Sequence, residues 1–257
     1  MVANSHSEVR LEFRGTPLQA LGWILLSLVG GFLVVPLAWV NAAIARWVCR
    51  NTAFSDGATA EFRGTGGDVV VWHVLFMLVT GGQQLALLYT DPGDYGGIAS
   101  IFTLSYFVMI AIVLTILKWF VYNVRLSAGP HLTFTGSLVG LLGWYVLIAL
   151  SGITVVGWAW AAVAMYRWMA RHVKGDGIAV EFRGTGFELL WRALATAVGS
   201  LLIVTVPFLA IWLTRWLVQN IVIIRGVETS WDDFIEKKKT PPPPSSPSGP
   251  TVFGPIG

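Results

Sequence analysis

The sequence predicts an all-α integral membrane protein. It is expected to have four repeated units of membrane-embedded helical hairpins, some of them re-entrant, with short cytoplasmic β-strands or hairpins at a recurring F-x-G phrase. Three observations predict this. Apolar residues make up 55% of the 257 and charged residues 12%, with mean hydropathy +0.68, whereas an ordinary soluble domain carries about 25% charged residues. Long apolar runs lie near 18–45, 69–89, 97–117, 138–166 and 187–214, and about 20 apolar residues span a bilayer. The six residues EFRGTG occur at 61–66 and 181–186, with a near-copy, EFRGTP, at 12–17.

Two landmarks define the repeat. The first is the glycine of F-x-G: Gly15, Gly64, Gly136 (from TFTG) and Gly184. The second is a basic residue, Trp, three residues, then Asn or His: RWVCRN at 46–51, KWFVYN at 118–123, RWMARH at 167–172 and RWLVQN at 215–220. Gly15 to Arg46, Gly136 to Arg167 and Gly184 to Arg215 are each 31 positions, and Gly64 to Lys118 is 54. Gly-Trp recurs at 22–23 and 143–144, eight residues after a landmark glycine. The units are 8–57, 58–126, 127–177 and 178–227, paired one with two and three with four. They follow an N-terminal tail, 1–7, and precede a tail over 228–257.

Each unit opens on a strand. In VRLEFRG, Val9, Leu11 and Phe13 alternate with Arg10, Glu12 and Arg14, and IAVEFRG repeats the pattern; period-two alternation marks a half-buried strand. SDG at 55–57 and GDG at 175–177 read as turns. The landmark glycine then joins strand to helix, letting the chain turn sharply. An anion-binding glycine loop is the competing reading, but neither G-x-x-x-x-G-K-[ST] nor G-x-G-x-x-G is present.

Unit two reads as a true hairpin, with spans near 69–89 and 98–121. Its connection, TDPGDYGG at 90–97, lacks Lys and Arg and carries Asp91 and Asp94. The positive-inside rule puts the basic ends in the cytoplasm and this connection outside. The compact units start and end at basic residues, so each is expected to turn back within the bilayer near Gly30 and Gly31, Gly152, or Gly199. Two legs of about 14 residues reach about 21 Å each, short of the roughly 30 Å hydrocarbon core. One long helix whose last turns lie along the interface is the alternative, and Pro36 and Pro207 fit either as turn or kink.

These pieces resemble the YjgN-like family of bacterial inner-membrane proteins, whose function is unknown. The best match is PLAWVNAAIARWVCRNTAFSDGATAEFRGTG at 36–66, and the likeness extends loosely over 10–222. VVPLAW and the low charge density depart from the family pattern. The resemblance implies a bacterial inner-membrane location, multi-pass, with both termini cytoplasmic, and supplies no activity.

Catalysis needs converging polar groups, and the apolar runs hold few. Asn41, His73, Gln83 and Gln84 are candidates to line a pore or to hydrogen-bond between helices. Glu188 and Arg192, four apart, read as an interfacial salt bridge. His73 has no second ligand at metal spacing, so neither metal nor other cofactor is expected. Arg46, Trp47, Lys118, Trp119, Arg167, Trp168, Arg215 and Trp216 are candidates for the lipid interface, with the following Asn or His capping the helix end. The charged and proline-rich stretch after Thr229 reads as an extended spacer, or as a polyproline docking segment for a protein partner. No basic stripe suits nucleic acid. Together these predict a non-enzymatic scaffold that binds membrane lipids, forms homo-oligomers and inserts re-entrant wedges. The alternative is a channel or carrier for a small or lipophilic solute.

Overall fold

Alternate residues of each F-x-G phrase are apolar, and each phrase forms a strand with its phenylalanine inward. In β1 (Ser7–Phe13), Val9, Leu11 and Phe13 are buried while Glu8, Arg10 and Glu12 are exposed. The computed structural model describes residues 7–127, 131–154, 156–175 and 177–226. After β1 come helices α1 (Pro17–Leu33) and α2 (Leu37–Arg50), then strands β2 (Thr52–Phe54) and β3 (Ala60–Phe62). Two long helices, α3 (Gly66–Leu88) and α4 (Tyr95–Asn123), lead to β4 (Val124–Leu126) and β5 (Thr133–Phe134). Next are α5 (Leu138–Ser151), α6 (Gly157–Arg171), β6 (Val173–Gly175) and β7 (Ile178–Phe182). The chain continues through α7 (Gly186–Gly199), α8 (Val206–Gln219) and β8 (Ile221–Arg225). The tail expected over 228–257, its partner-docking role and residues 1–6 lie outside the described residues.

The expectation of an all-α protein is corrected. The strands form a six-stranded antiparallel sheet, ordered β2-β1-β8-β7-β6-β5, and a two-stranded sheet of β3 and β4. The physical reason is the return path. Each F-x-G strand pairs with the strand that leaves the helices it started, so short segments far apart in sequence build shared ladders. One register recurs: Phe13 opposite Thr52, Phe62 opposite Val124, Phe134 opposite Val173 and Phe182 opposite Ile221. Between them, β8 bridges β1 and β7.

The expectation of membrane-embedded helices throughout is cut back too: among the described residues, only α3 and α4 are long and apolar enough to cross a membrane. They match the runs near 69–89 and 98–121. The other long apolar runs break into pairs of helices of 14–17 residues. Between α1 and α2 the break is a γ-turn. Val34 has φ +61° and ψ −64°, and the Val35 N–H donates to the Leu33 carbonyl at 2.7 Å, a rare and strained conformation for a β-branched residue. A 3₁₀ turn, Gly152–Thr154, follows α5, and another, Ile203–Thr205, precedes α8.

The helices pack in chain order, each on the next, and α8 returns to pack on α1. The result is a closed ring of helices resting on the strands. The main core lies at their junction, where Val9, Phe13, Phe134 and Ile223 from the strands meet Ile110, Leu114, Leu141 and Ile211 from the helices. Alanines 38, 42 and 45 on α2, and 159, 161 and 162 on α6, are buried; small side chains let helix backbones approach closely.

Candidate membrane-interface site

At the landmark glycines one local geometry occurs four times. The phenylalanine two residues before each glycine meets the landmark tryptophan edge-on. Ring centroids lie 5.3 Å apart for Phe13–Trp47, 5.2 Å for Phe62–Trp119, 6.0 Å for Phe134–Trp168 and 5.8 Å for Phe182–Trp216. The glycine lies against both rings. A Cβ at Gly15, Gly64 or Gly184 would come within 2.5–3.0 Å of them, and Gly136 is as crowded. Glycine is required here by close approach, since none of the four has positive φ.

Backbone bonds fasten the same joints. The residue before each glycine donates its N–H to the carbonyl of the landmark Asn or His: Arg14 to Asn51 (2.8 Å), Arg63 to Asn123 (3.0 Å), Thr135 to His172 (2.9 Å) and Arg183 to Asn220 (2.9 Å). The Asn Nδ2 in turn donates at 2.8 Å to the carbonyl of Trp47, Trp119 or Trp216. His172 Nδ1, also 2.8 Å from the Trp168 carbonyl, does the same work. These side chains satisfy carbonyls that a helix end leaves open.

The helix that follows is capped by the same machinery. Thr16, Thr65 and Thr185 head capping boxes with Gln19, Asp68 and Glu188. Each box acceptor also receives the indole N–H of its landmark tryptophan: Trp47 to Gln19 at 3.2 Å, Trp119 to Asp68 at 3.3 Å and Trp216 to Glu188 at 3.3 Å. In the third joint Gly140 stands at this position and the Trp168 ring lies against it. The indoles expected at the lipid interface are thus tied inside the joints.

The landmark cations differ among themselves. Arg167 Nη2 donates to the Gly184 carbonyl at 2.9 Å and Arg215 Nη2 to the Gly15 carbonyl at 3.3 Å, each reaching the next joint around the ring. Arg46 turns back to the Ala42 carbonyl at 3.2 Å. Lys118 is exposed. Arg167, Arg171, Glu181, Phe182 and Arg183 line an open cleft of about 360 Å³. Arg183 also grips Glu8 through two bonds of 3.1 and 2.6 Å. That hydrogen-bonded guanidinium holds the Glu8 carboxyl below the usual carboxylate range, and the pairing raises Arg183 in turn.

The embedded polar candidates separate into two places. Asn41 Nδ2 lies 2.8 Å from His73 Nε2, joining α2 to α3. His73 Nδ1 faces the Val69 carbonyl at 3.0 Å. A carbonyl only accepts, so Nδ1 carries the proton and Nε2 accepts from Asn41. Gln83 and Gln84 lie further along α3 and join no described side chain of this pair; Gln84 is exposed. Among the described residues no three His, Cys, Asp or Glu side chains are grouped to hold a metal.

The expected Glu188–Arg192 salt bridge does not form, because Glu188 is already engaged by the Thr185 N–H and the Trp216 indole. Arg192 instead lies among the rings of Trp191, Trp212 and Trp216, at 5.5, 5.1 and 5.4 Å. One signal could have found it. The eighth residue after each landmark glycine is Trp23, Trp72, Trp144 and then Arg192. Comparison of the chain with protein-family models, with curated proteins and with solved structures gives no match.

Proposed function

We propose that this protein is a non-enzymatic, membrane-organising scaffold of the bacterial inner membrane, akin to the YjgN-like family, with the strand layer on the cytoplasmic side. In this reading α3 and α4 cross the bilayer, and the pairs α1–α2, α5–α6 and α7–α8 enter from the strand side and turn back as wedges. The four joints sit at the cytoplasmic headgroup level. They fix the helix entry points and present cations to lipid.

One observation carries this reading. Both ends of each short pair are anchored at the strands, so its turn lies at the far end, and there large apolar side chains stand bare. Phe32 is 89% exposed, Ile153 81% and Ile203 86%. The α3–α4 connection, by contrast, is polar, with Asp94 capping α4 through the Gly97 N–H. Legs of 14 residues reach about 21 Å, whereas the 23 residues of α3 reach about 34 Å. Apolar turns at mid-depth and a polar turn beyond the far surface follow from those lengths.

Exposed Gly81, Gly82 and Gln84 on α3 suit a contact between copies, since small and polar residues mediate helix association in lipid. A channel or carrier would need polar side chains converging on one path, and the Asn41–His73 pair already satisfies itself. The test uses a Cys49→Ser background with single cysteines at Ser55, Asp94 and Ile153, labelled in intact cells by an impermeant reagent. Labelling at Asp94 alone is expected. Labelling at Ile153 would mean that the compact pairs cross fully, and the wedge reading would fail.

A further inference from the structure

Arg192 is the one landmark-plus-eight residue that is not tryptophan, and its surroundings are incomplete. It lies six residues into α7 from Gly186, about 9 Å along the axis. Three indoles wall its guanidinium, two of them, Trp191 and Trp212, packed edge-on at 5.1 Å. Indole faces attract a cation but leave its in-plane N–H donors without acceptors. Nε is buried with no partner, and no described carboxylate lies within 4.0 Å of the guanidinium.

Thr196 is one turn further along the same helix face, and its hydroxyl is also buried without a partner. This is unusual within the molecule. Thr80, Thr103, Thr115 and Thr214 each donate to the carbonyl four residues back. Two neighbouring side chains on one face of α7 therefore hold unused donors, one of them flanked by indoles. Leaving a buried polar group unpaired is costly, and a buried charge more so.

We propose that the Arg192–Thr196 face of α7, walled by Trp191, Trp212 and Trp216, binds a phosphate group. The planar guanidinium matches phosphate oxygens two at a time, the Thr196 hydroxyl supplies a further donor, and the indole faces flank the cation. The phosphodiester of a lipid headgroup is the source that follows if α7–α8 is a wedge, so this part rests on the membrane reading above. Arg192 then draws that phosphate below its usual plane, which thins the leaflet beside the wedge. Free inorganic phosphate offers the same chemistry and is the other source.

The full chain is purified in mild detergent and its retained phospholipid counted by native mass spectrometry. It is then stripped of lipid and titrated with inorganic phosphate while tryptophan emission is followed. The wild type is expected to retain phospholipid that Arg192→Gln loses by roughly tenfold or more, the range for a charge-assisted contact. Arg192→Trp installs the residue found at the other three positions, so it keeps the fold and is expected to show the same loss. A saturable emission change with phosphate, absent in both variants, assigns the site to the free anion. Phospholipid retention lost in the variants, without that change, assigns it to a headgroup. Equal retention in all three proteins with no phosphate response overturns the site. Flotation with phosphatidylcholine and phosphatidylglycerol vesicles reports separately on the membrane reading: wild type that fails to float sinks that reading, while variants that float normally show that any lost phosphate binding is local.

Discussion

Glycine and its two aromatic neighbours carry the clearest residue-level test. Gly15→Ala or Gly64→Ala forces a methyl into the Phe–Trp contact, and such overpacking costs about 1–3 kcal/mol. Gly22, inside α1, has nothing within 4 Å of an added Cβ, so Gly22→Ala is expected to gain about 0.5–1 kcal/mol from helix propensity alone. Thermal unfolding in detergent separates the two; similar melting shifts would remove the packing argument. The unpaired thiol of Cys49 is 7% exposed, so it is expected to resist alkylation until the protein is denatured. At this scale the sequence was legible where a residue type repeats. The glycine and the tryptophan stand out because four copies share them, and the helix-capping Asn because three do. The Asn41–His73 contact was not legible, since residues 32 apart meet only when α2 packs on α3. The fate of Arg192 was hidden for another reason. Its natural partner by spacing, Glu188, is claimed by a cap and an indole that only the folded joint brings near.

Helices and strands fared unequally as elements. The two long helices were legible because each is one uninterrupted apolar run. The continuous sheet was not, because strands of 2–7 residues carry too little periodicity to reveal their partners. The helix ends make testable elements. His172→Asn is expected to be neutral, because three joints already use Asn there, while His172→Ala loses a bond worth about 1 kcal/mol. Equal melting points for the two variants would show that the bond to the Trp168 carbonyl contributes nothing. The α1–α2 break supplies the opposite case. Val34→Gly removes a β-branched side chain from positive φ, and relief of such strain is expected to stabilise by about 1–3 kcal/mol. An unchanged or lowered melting point would argue against the γ-turn.

For the whole molecule, the clamp between Glu8 of β1 and Arg183 beyond β7 encloses β8 between them. The folded Glu8 carboxyl sits below its ordinary value because Arg183 bonds its ionised form. Its contribution is therefore present above the unfolded-state pKa and lost as pH falls through the lower folded value. Glu8→Gln is expected to lower stability slightly at neutral pH and to flatten the acid limb by that same small amount, since exposed pairs contribute little. An acid limb identical to wild type would remove the clamp from the account. The position of β8 also has a bearing on biosynthesis. It is the last described strand in the chain yet occupies the middle of the six-stranded sheet. While a ribosome is still making α8, β1 and β7 each show a bare edge open to stray pairing. Closure waits on a contact between residues more than 200 positions apart, a slow kind of step. A chain cut before Ile221 would keep its helices but never shut, so expression of such truncations should yield edge-paired aggregates while the full chain yields none.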